Sequence, residues 1–493
     1  MALGAGNILS EVFLSDESTT QAVAKMVKNG VARKIAPRLY TSNMVEPDDV
    51  IIRRNMWQVV SLLIPGSVIG YRTALEGRQS DAGAIFLTGS YKRVLSLPGM
   101  ELILAKGSGP VEGDVPFIGT LFMASRERYF LENLQPTKSK GRDTRSVGKK
   151  VVEEKLVTIL KVKGDAELNV IRDRARVIAP VLGMEKEFNT LDGLIGALLR
   201  TRPSKNLTTP AAVAYANGQP YDADRIERFE ALRSFLAAAV LPARRCEHVP
   251  GQAFYSQGFF DSYFSNYIEG TEFPVDEAMG IVFKGVIPAT RPADAHDILG
   301  TYRVVGNYQD MKRIPKDNAS FIEILRHRHS IILDGRPEKR PGEFKERVNQ
   351  AGSSVFVSPD LVRGTLEQGF GLYRSLEDPL ARALFMMFMI AEVHPFDDGN
   401  GRISRVMMNS ELVSAGLCRI IIPSVFRNEY ISSLKLMTNH NDPTSYVRVM
   451  DYAQEFVSRI DFSDLERAKA MLAACNAFND PADNEKLQMP LDN

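Results

Sequence analysis

The chain has 493 residues, of which 44% are apolar and 25% are charged, and its formal net charge is +1. This length allows roughly two to four domains, and so balanced a charge excludes an argument from overall charge for a nucleic-acid or membrane partner. The apolar stretches end short of the ~20 residues that cross a bilayer, no secretory signal opens the chain, and the scattered Cys246, Cys418 and Cys475 form neither a disulfide framework nor a zinc motif. We therefore expect a cytoplasmic protein without a membrane partner.

Residues 1–45 predict a small winged-helix unit. The stretch TTQAVAKMVKNG has the apolar spacing of a helix, and VARKIAPRLYTS predicts a short β-ribbon. Arg33, Lys34 and Arg38 would face outward from this ribbon, where basic side chains suit contacts with DNA phosphates. The alternative is a surface ribbon that is basic without binding DNA.

Residues 46–160 predict an α/β region whose apolar segments are separated by glycine. The order of the basic ribbon, RLYTSN, IPGSVIGYRTALEG, IFLTG and LPGMELILAKGSGP resembles the AbiEi-like antitoxin and transcriptional-regulator family. That resemblance implies an N-terminal winged helix that binds DNA. The basic loop that follows would add contacts to the DNA backbone or be simply solvated, and its cations are Lys138, Lys140, Arg142, Arg145, Lys149 and Lys150.

Residues 161–250 predict helices that link or pack the two halves, and DADRIERFEALRSFLAAAVL is the clearest amphipathic one. Residues 251–480 are again rich in helical patterns. The polar residues 481–493 predict a flexible tail.

Residues 394–405 read HPFDDGNGRISR and directly follow the apolar run ARALFMMFMIAEV. His394 carries the side chain whose unperturbed pKa, roughly 6.5, suits proton transfer near neutrality. Asp398 offers the kind of oxygen ligand that Mg²⁺ takes together with phosphates. The alternative is a purely structural one, in which the histidine makes its hydrogen bonds within the fold and the charged residues form ion pairs at the surface. That alternative does not require all these groups within twelve residues.

The same stretch predicts an anion site, because a glycine turn precedes the helix RISRVMMNSELVSAG. Two arginines three positions apart project from one face of that helix and suit successive phosphates. The predicted phosphate-binding residues are Gly399, Asn400, Gly401, Arg402 and Arg405.

HPFDDGNGRISR resembles the signature of the Fic family, HPFx(D/E)GNGRxxR, at every specified position. The resemblance implies a mainly α-helical domain over residues 251–480 that transfers AMP from ATP, with Mg²⁺, to a Ser, Thr or Tyr hydroxyl of a protein. Upstream, PGEFKERVNQAGSSVFVSP looks like the family's β-hairpin flap, which aligns a target by strand pairing. The implied target-docking residues are Val348, Val355, Phe356 and Val357.

The resemblance also implies a role for each residue of the motif. His394 would deprotonate the target hydroxyl, and Asp398 would hold Mg²⁺ against the α- and β-phosphates, which the glycine turn would cradle. Arg402 would contact the β-phosphate and Arg405 the γ-phosphate, while Tyr430 would lie near the adenine. The intact glycine turn favours AMP over the other groups that related proteins transfer.

The stretch FSNYIEG matches the inhibitory motif of Fic proteins, (S/T)xxxE(G/N), at Ser265, Glu269 and Gly270. The resemblance implies an inhibitory helix over residues 260–270, whose Glu269 would pair with Arg405 in place of the γ-phosphate. In some relatives the same glutamate orients a water that removes AMP, so the balance of the two activities stays open. The alternative is an ordinary helix end with a glycine cap.

Two functions remain open from the sequence. The first is a self-inhibited protein adenylyltransferase, which the presence of both His394 and Arg402 favours. The second is a DNA-binding, antitoxin-type transcriptional regulator that uses its Fic domain as a nucleotide sensor. The fusion of the two halves indicates a bacterial toxin–antitoxin setting by association only, and since Fic domains often dimerise we also expect a homo-oligomer.

Overall fold

The structure is a computed structural model that describes residues 10–136, 144–352, 354–483 and 485–490. Lys138, Lys140 and Arg142 of the basic loop lie outside the described residues. The chain forms two compact units, Met1–Gly218 and Gln219–Asn493. Their boundary divides the 161–250 region that the sequence analysis treats as one helical segment.

The first unit combines short strands with nine helices in its described part. Its elements are β1 Val12–Leu14, α1 Thr20–Lys28, β2 Arg33–Ala36, β3 Leu39–Thr41, α2 Asp48–Arg54, α3 Met56–Leu63, β4 Val68–Ile69, α4 Tyr71–Glu76, β5 Ala84–Gly89, β6 Arg93–Leu97, β7 Met100–Lys106, β8 Val115–Pro116, β9 Phe122–Met123, α5 Arg126–Leu134, α6 Gly148–Lys163, α7 Asp165–Leu182, α8 Glu185–Leu198 and α9 Pro210–Ala216.

Two sheets organise the strands of this unit. The helix and ribbon expected near the N-terminus are present as α1 and β2–β3, and the small antiparallel sheet has the order β1-β3-β2. Val23 anchors α1 because it is the buried side chain of that helix, whereas Val27 is exposed. The larger sheet has the order β6-β7-β5-β4-β9-β8, with β5 parallel to β7 and β4 parallel to β9. This is the α/β region predicted for residues 46–160.

The second unit is mainly helical, with one two-stranded hairpin. Its elements are α10 Ala223–Ala238, α11 Gln252–Ile268, α12 Val275–Lys284, α13 Pro292–Val305, α14 Tyr308–Met311, α15 Asn318–Ile332, β10 Gln350–Ala351, β11 Ser354–Val355, α16 Pro359–Tyr373, α17 Pro379–Val393, α18 Asn400–Ala415, α19 Arg427–His440, α20 Pro443–Ser458 and α21 Leu465–Ala474.

Helix α17 lies at the centre of the second unit. It begins at Pro379, whose missing N–H costs nothing at the first helical position, and the Asp378 side chain caps it by accepting from Ala381 N–H at 2.8 Å. Most of its side chains are buried, as expected for a helix that is apolar on all sides. It ends at Val393, and the left-handed backbone of the next residue, His394 (φ 53°), turns the chain into the loop that leads to α18, here called the motif loop.

Part of the tail predicted to be flexible packs against the second unit. Leu487 is buried, and Gln488 N–H donates to Cys475 O at 3.1 Å. The apolar side chain within this polar segment accounts for the packing. In the described part of the chain, no helix is both long and apolar enough to span a membrane.

Candidate active site

The motif loop between α17 and α18 is held from within by Asn400. Its Oδ1 accepts from Phe396 N–H and its Nδ2 donates to Phe396 O, both at 2.9 Å. Gly399 caps α18 with a left-handed backbone (φ 73°), a conformation that glycine adopts without strain. The loop therefore presents the N-terminus of α18, with its free N–H groups, at one fixed position.

His329 on α15 contacts the same loop through a hydrogen bond and a stacked ring. Its Nδ1 accepts from Gly342 N–H at 2.9 Å, so its Nε2 carries the proton that meets Asp398 O at 3.0 Å. The ring stacks on Phe396 with 3.6 Å between centroids. Burial lowers the pKa of His329 to about 4, which keeps the ring in this neutral form. Sequence reasoning did not identify this residue.

His394 follows α17 directly and faces a cavity. Its ring is half-buried and stacks on Phe356 of the hairpin, with 3.8 Å between centroids and 9° between planes. Burial, followed by the charge of Lys345, lowers the pKa of His394 to about 4, while a hydrogen bond with the Ala391 backbone acts in the opposite direction. The imidazole is therefore neutral at physiological pH and able to accept a proton.

The hairpin β10–β11 coincides with the predicted flap and is tied to the motif loop at its base. Asn349 Nδ2 donates to Phe396 O at 2.9 Å, and the buried Lys345 donates from Nζ to Asn349 Oδ1 at 2.6 Å. Burial lowers the pKa of Lys345 to about 8. Of the predicted docking residues, Val348 and Val355 are exposed, Phe356 is half-buried and Val357 lies in the core.

Arg405 is buried beside the end of α11. Its Nε donates to Ser265 Oγ at 2.9 Å, and its Nη2 donates to Ser265 O at 2.8 Å and to Glu269 Oε1 at 2.7 Å. Its Nη1 lies 3.4 Å from the hydroxyl of the buried Tyr430. Two of the three predicted inhibitory residues, Ser265 and Glu269, are thus in direct contact with the predicted γ-phosphate arginine.

The carboxylate of Glu269 also lies over the glycine turn. A Cβ added to Gly401 would lie 2.1 Å from Glu269 Oε1, which is far closer than non-bonded atoms approach each other. Gly270 follows with a left-handed backbone (φ 88°) and lets the chain turn away immediately after this carboxylate. Glu269 Oε1 consequently lies between Gly401, in the first turn of α18, and the guanidinium of Arg405.

Arg402 is engaged within the protein. Its Nη1 lies 2.8 Å from Asp297 Oδ2, and both side chains are almost fully buried. Asp297 also accepts from Arg336 Nε at 3.0 Å, so this buried carboxylate joins two guanidinium groups, of which Arg336 also pairs with Asp294. No sequence pattern marks Asp297, and only the fold of α13 brings it to the motif.

Asp398 is one of two neighbouring acidic residues in the motif, and its side chain is partly exposed. Its Oδ1 accepts from Gly399 N–H at 2.6 Å and lies 3.4 Å from Arg402 Nη2, and its side chain is 38% exposed. Within the described ranges, no group of three or more His, Cys, Asp and Glu side chains could hold a metal ion by itself. A cation at Asp398 would therefore draw its remaining ligands from phosphate and water, as Mg²⁺ commonly does.

A cavity of about 250 Å³ is lined by predicted site residues from several segments of the chain, whereas Asp398 and Arg402 do not line it. Its polar wall includes His394, Glu269 and Arg405, and its apolar wall is formed by Phe388, Ala391, Ile431 and Leu434. A neutral base, a buried cation and an apolar wall around one space suit a ligand that has both phosphate and an aromatic ring.

The predicted DNA contacts lie in the first unit. Arg33 is paired with Asp48 and also donates from Nε to Asn43 O at 2.9 Å, and Arg38 Nε donates to Ser15 O at 3.0 Å. Lys34 is exposed. Two of the three cations therefore have partners within the protein, and their contact with DNA stays a prediction.

Residues 321–412 match the model of the Fic/DOC family, and this range runs from α15 into α18. This part of the second unit is therefore similar to the Fic/DOC family. The protein adenylyltransferase Fic of Drosophila yakuba is 27% identical to this chain over 236 residues, which are 47% of this chain and 46% of that protein. The protein of the same name in Drosophila persimilis is 26% identical over 236 residues, covering 47% and 45%. The chain thus spans about half the length of the curated relatives it matches.

A solved structure of a Fic domain containing signaling protein from Bacteroides thetaiotaomicron is also similar. It is 19% identical, covers 50% of this chain and 97% of its own, and superimposes with a TM-score of 0.37.

Proposed function

We propose that this chain is a nucleotidyltransferase that moves AMP from ATP to a hydroxyl group of a protein, and that Glu269 inhibits it from within the same chain. The observation that carries the proposal is the contact of Glu269 with both Arg405 and the glycine turn, beside the neutral base His394. The Fic/DOC match over residues 321–412 and the names of the Drosophila relatives support the same reaction.

His394 acts as the base in this proposal. With one ring nitrogen turned to the Ala391 backbone, the other accepts the proton of the target hydroxyl. The hydroxyl oxygen then bonds to the α-phosphorus of ATP, the bond from that phosphorus to its bridging oxygen breaks, and pyrophosphate leaves. The negative phosphates raise the proton affinity of the imidazole, which offsets the opposing charge of Lys345.

The glycine turn and the arginines bind the phosphates. The N–H groups at Gly399, Asn400 and Gly401 face the α- and β-phosphates at the start of α18, and Arg405 binds the γ-phosphate once Glu269 has moved. Arg402, fixed by Asp297, contacts the β-phosphate. Most of the catalytic effect of such a site comes from positioning and from charge stabilisation.

The exposed carboxylate of Asp398 fits Mg²⁺, which when bound would neutralise phosphate charge. Tyr430, buried at the cavity beside Arg405, would lie near the nucleoside. The hairpin β10–β11 would pair with an extended segment of the protein substrate.

Inhibition follows from competition for one cation. Arg405 is almost fully buried, so an anion must accompany it, and in the resting state that anion is Glu269. ATP can bind with its γ-phosphate on Arg405 only after the carboxylate leaves. The same residue could orient a water for removal of AMP, and this second activity forms part of the proposal.

The alternative of a DNA-binding regulator with a nucleotide-sensing Fic domain has less support. Its predicted contacts Arg33 and Arg38 are used by Asp48 and by the Ser15 carbonyl. A sensor would also not need a neutral imidazole facing the cavity.

The test is a labelling assay with α-labelled ATP, Mg²⁺ and cell lysate. The chain is compared with Glu269→Gly and with Glu269→Gly/His394→Ala, and Glu272→Gly serves as the matched control because this exposed glutamate lies three residues away. We expect strong transfer to protein by Glu269→Gly, weak transfer by the natural chain and by Glu272→Gly, and none by the double variant. Silence of Glu269→Gly while it still binds ATP would overturn the proposal.

A further inference from the structure

Arg225 on α10 contacts both the flap and helix α17, the helix that ends just before His394. Its Nη2 donates to Val355 O in β11 at 2.5 Å, and its Nη1 lies 2.9 Å from Glu392 Oε1 on α17. Its side chain is only 11% exposed. A guanidinium is rigid and planar, so two such bonds fix the distance between the two acceptors.

Glu392 is a fixed acceptor. It is buried two residues before His394, and its Oε2 accepts from Thr438 Oγ1 at 2.7 Å. A second arginine, Arg228, lies 3.3 Å from its Oε1. Because this carboxylate has three donors, it has little freedom to move.

The helix that carries Arg225 is also fixed. Asp222 caps α10 by accepting from Arg225 N–H at 3.2 Å, and its own N–H donates to Thr365 Oγ1 on α16 at 2.9 Å. Phe229 on the next turns of α10 is fully buried and packs edge-on against Phe385 of α17. Arg225 thus extends from a rigid support.

The flap has two attachments. Asn349 secures its first side to Phe396 O of the motif loop. On its second side, among the residues that the structure describes, Arg225 supplies the side-chain hydrogen bond to the backbone of β11. The next residue after Val355 is Phe356, whose ring stacks on His394.

We infer that Arg225 is a positioning residue that holds the second strand of the flap, and with it Phe356, at the place where a target segment meets His394. The inference rests on the proposed function and deepens it, because it names a residue outside the Fic/DOC match that controls use of the protein substrate. Arg225 also lines the cavity, where its Nη1 and Nη2 are already engaged by Glu392 and Val355, and the ATP affinity of an Arg225 variant distinguishes positioning from nucleotide binding.

The first test measures the flap directly and needs no activity. Hydrogen–deuterium exchange is followed over residues 348–357 in full-length Arg225→Gln and in Arg228→Gln, the matched control that contacts Glu392 without a bond to the flap. We expect faster exchange of the flap amides in Arg225→Gln alone. Equal exchange in the two variants would overturn the inference, and so would faster exchange throughout the second unit.

The second test separates substrate from nucleotide in the Glu269→Gly background. Transfer from α-labelled ATP at saturating ATP is measured over a dilution series of lysate protein, and ATP affinity is measured by calorimetry. Loss of one charge-assisted bond predicts about a tenfold lower transfer per unit of lysate protein for Arg225→Gln, an ATP Kd within about twofold of the parent, and partial recovery with Arg225→Lys.

A tenfold weaker ATP Kd with unchanged transfer at saturating ATP would make Arg225 a nucleotide ligand and refute its positioning role. If the Glu269→Gly parent transfers no label at all, the proposed function fails, while the exchange comparison still decides whether Arg225 positions the flap.

Discussion

The contact of Glu269 with Arg405 leads to a prediction about nucleotide affinity. If the carboxylate stands where the γ-phosphate binds, then Glu269→Gly strengthens the binding of ATP but leaves that of ADP nearly unchanged, because ADP has no γ-phosphate. The catalytic base is replaced in all samples by His394→Ala, so that calorimetry measures binding without turnover.

The size of the effect follows from the geometry of this pair. A hydrogen bond between charged groups contributes about 1.5–3 kcal/mol, but Glu269 is one-third exposed, and solvent reduces the contribution of an exposed partner. We therefore expect about 1–2 kcal/mol, which corresponds to about 5–30-fold tighter ATP binding. Arg405 keeps both bonds to Ser265 in the variant, so the site should stay folded.

The comparison of the two nucleotides makes the result decisive. An equal gain for ATP and ADP would mean that Glu269 blocks the whole cavity rather than the γ-phosphate position. No gain for either would show that the carboxylate does not compete with the nucleotide, and the inhibitory role would have to be abandoned. Glu272→Gly should bind both nucleotides as the parent does.

Three other predictions concern neighbouring groups. Because burial lowers the pKa of His394 to about 4 in the protein without nucleotide, kcat/KM for transfer by Glu269→Gly should fall only as the pH approaches about 4, and a fall in kcat/KM centred near 6.5 would contradict this. Gly401→Ala should expel the Glu269 carboxylate, so it should weaken the contact with Arg405 and change ATP affinity less when Glu269 is already glycine, which a double-mutant cycle of ATP Kd measures. Asp297→Ala removes the partner of a buried guanidinium and should lower the free energy of unfolding by about 3–5 kcal/mol in urea titration, whereas a loss under about 1 kcal/mol would show that the pair is not needed.

The predictions from sequence succeed where the interacting groups are contiguous. The range His394 to Arg405 carries its own turn and helix start, and the structure forms the glycine-capped loop that this order of residues predicts. The contact of Glu269 with Arg405 was also expected, but only through the resemblance to the Fic family, and the contact of Ser265 with Arg405 was not predicted. Most of the residues predicted for the candidate site therefore lie in one short segment of the chain.

Sequence reasoning misses the residues that reach the site from distant segments. Arg225 and Val355 are separated by 130 positions, and His329 and Asp398 by 69 positions, so no local periodicity relates them. The reverse error affects Arg33, which a strand pattern turns outward but which the fold pairs with Asp48. A charged residue in a strand pattern is expected to avoid the core, but only the tertiary structure shows which group it pairs with.

The covalent continuity of α11 and α18 has a consequence for how the activity would respond to cellular conditions. An inhibitor on a separate chain dissociates when it becomes scarce, whereas Glu269 reaches Arg405 at an effective concentration set by the fold. If Glu269 inhibits transfer as proposed, dilution and changes in expression level leave the fraction of inhibited molecules unchanged. Activation would then require an event that weakens the contact of Glu269 with Arg405. The time for which one molecule stays without this contact would determine how much substrate it modifies.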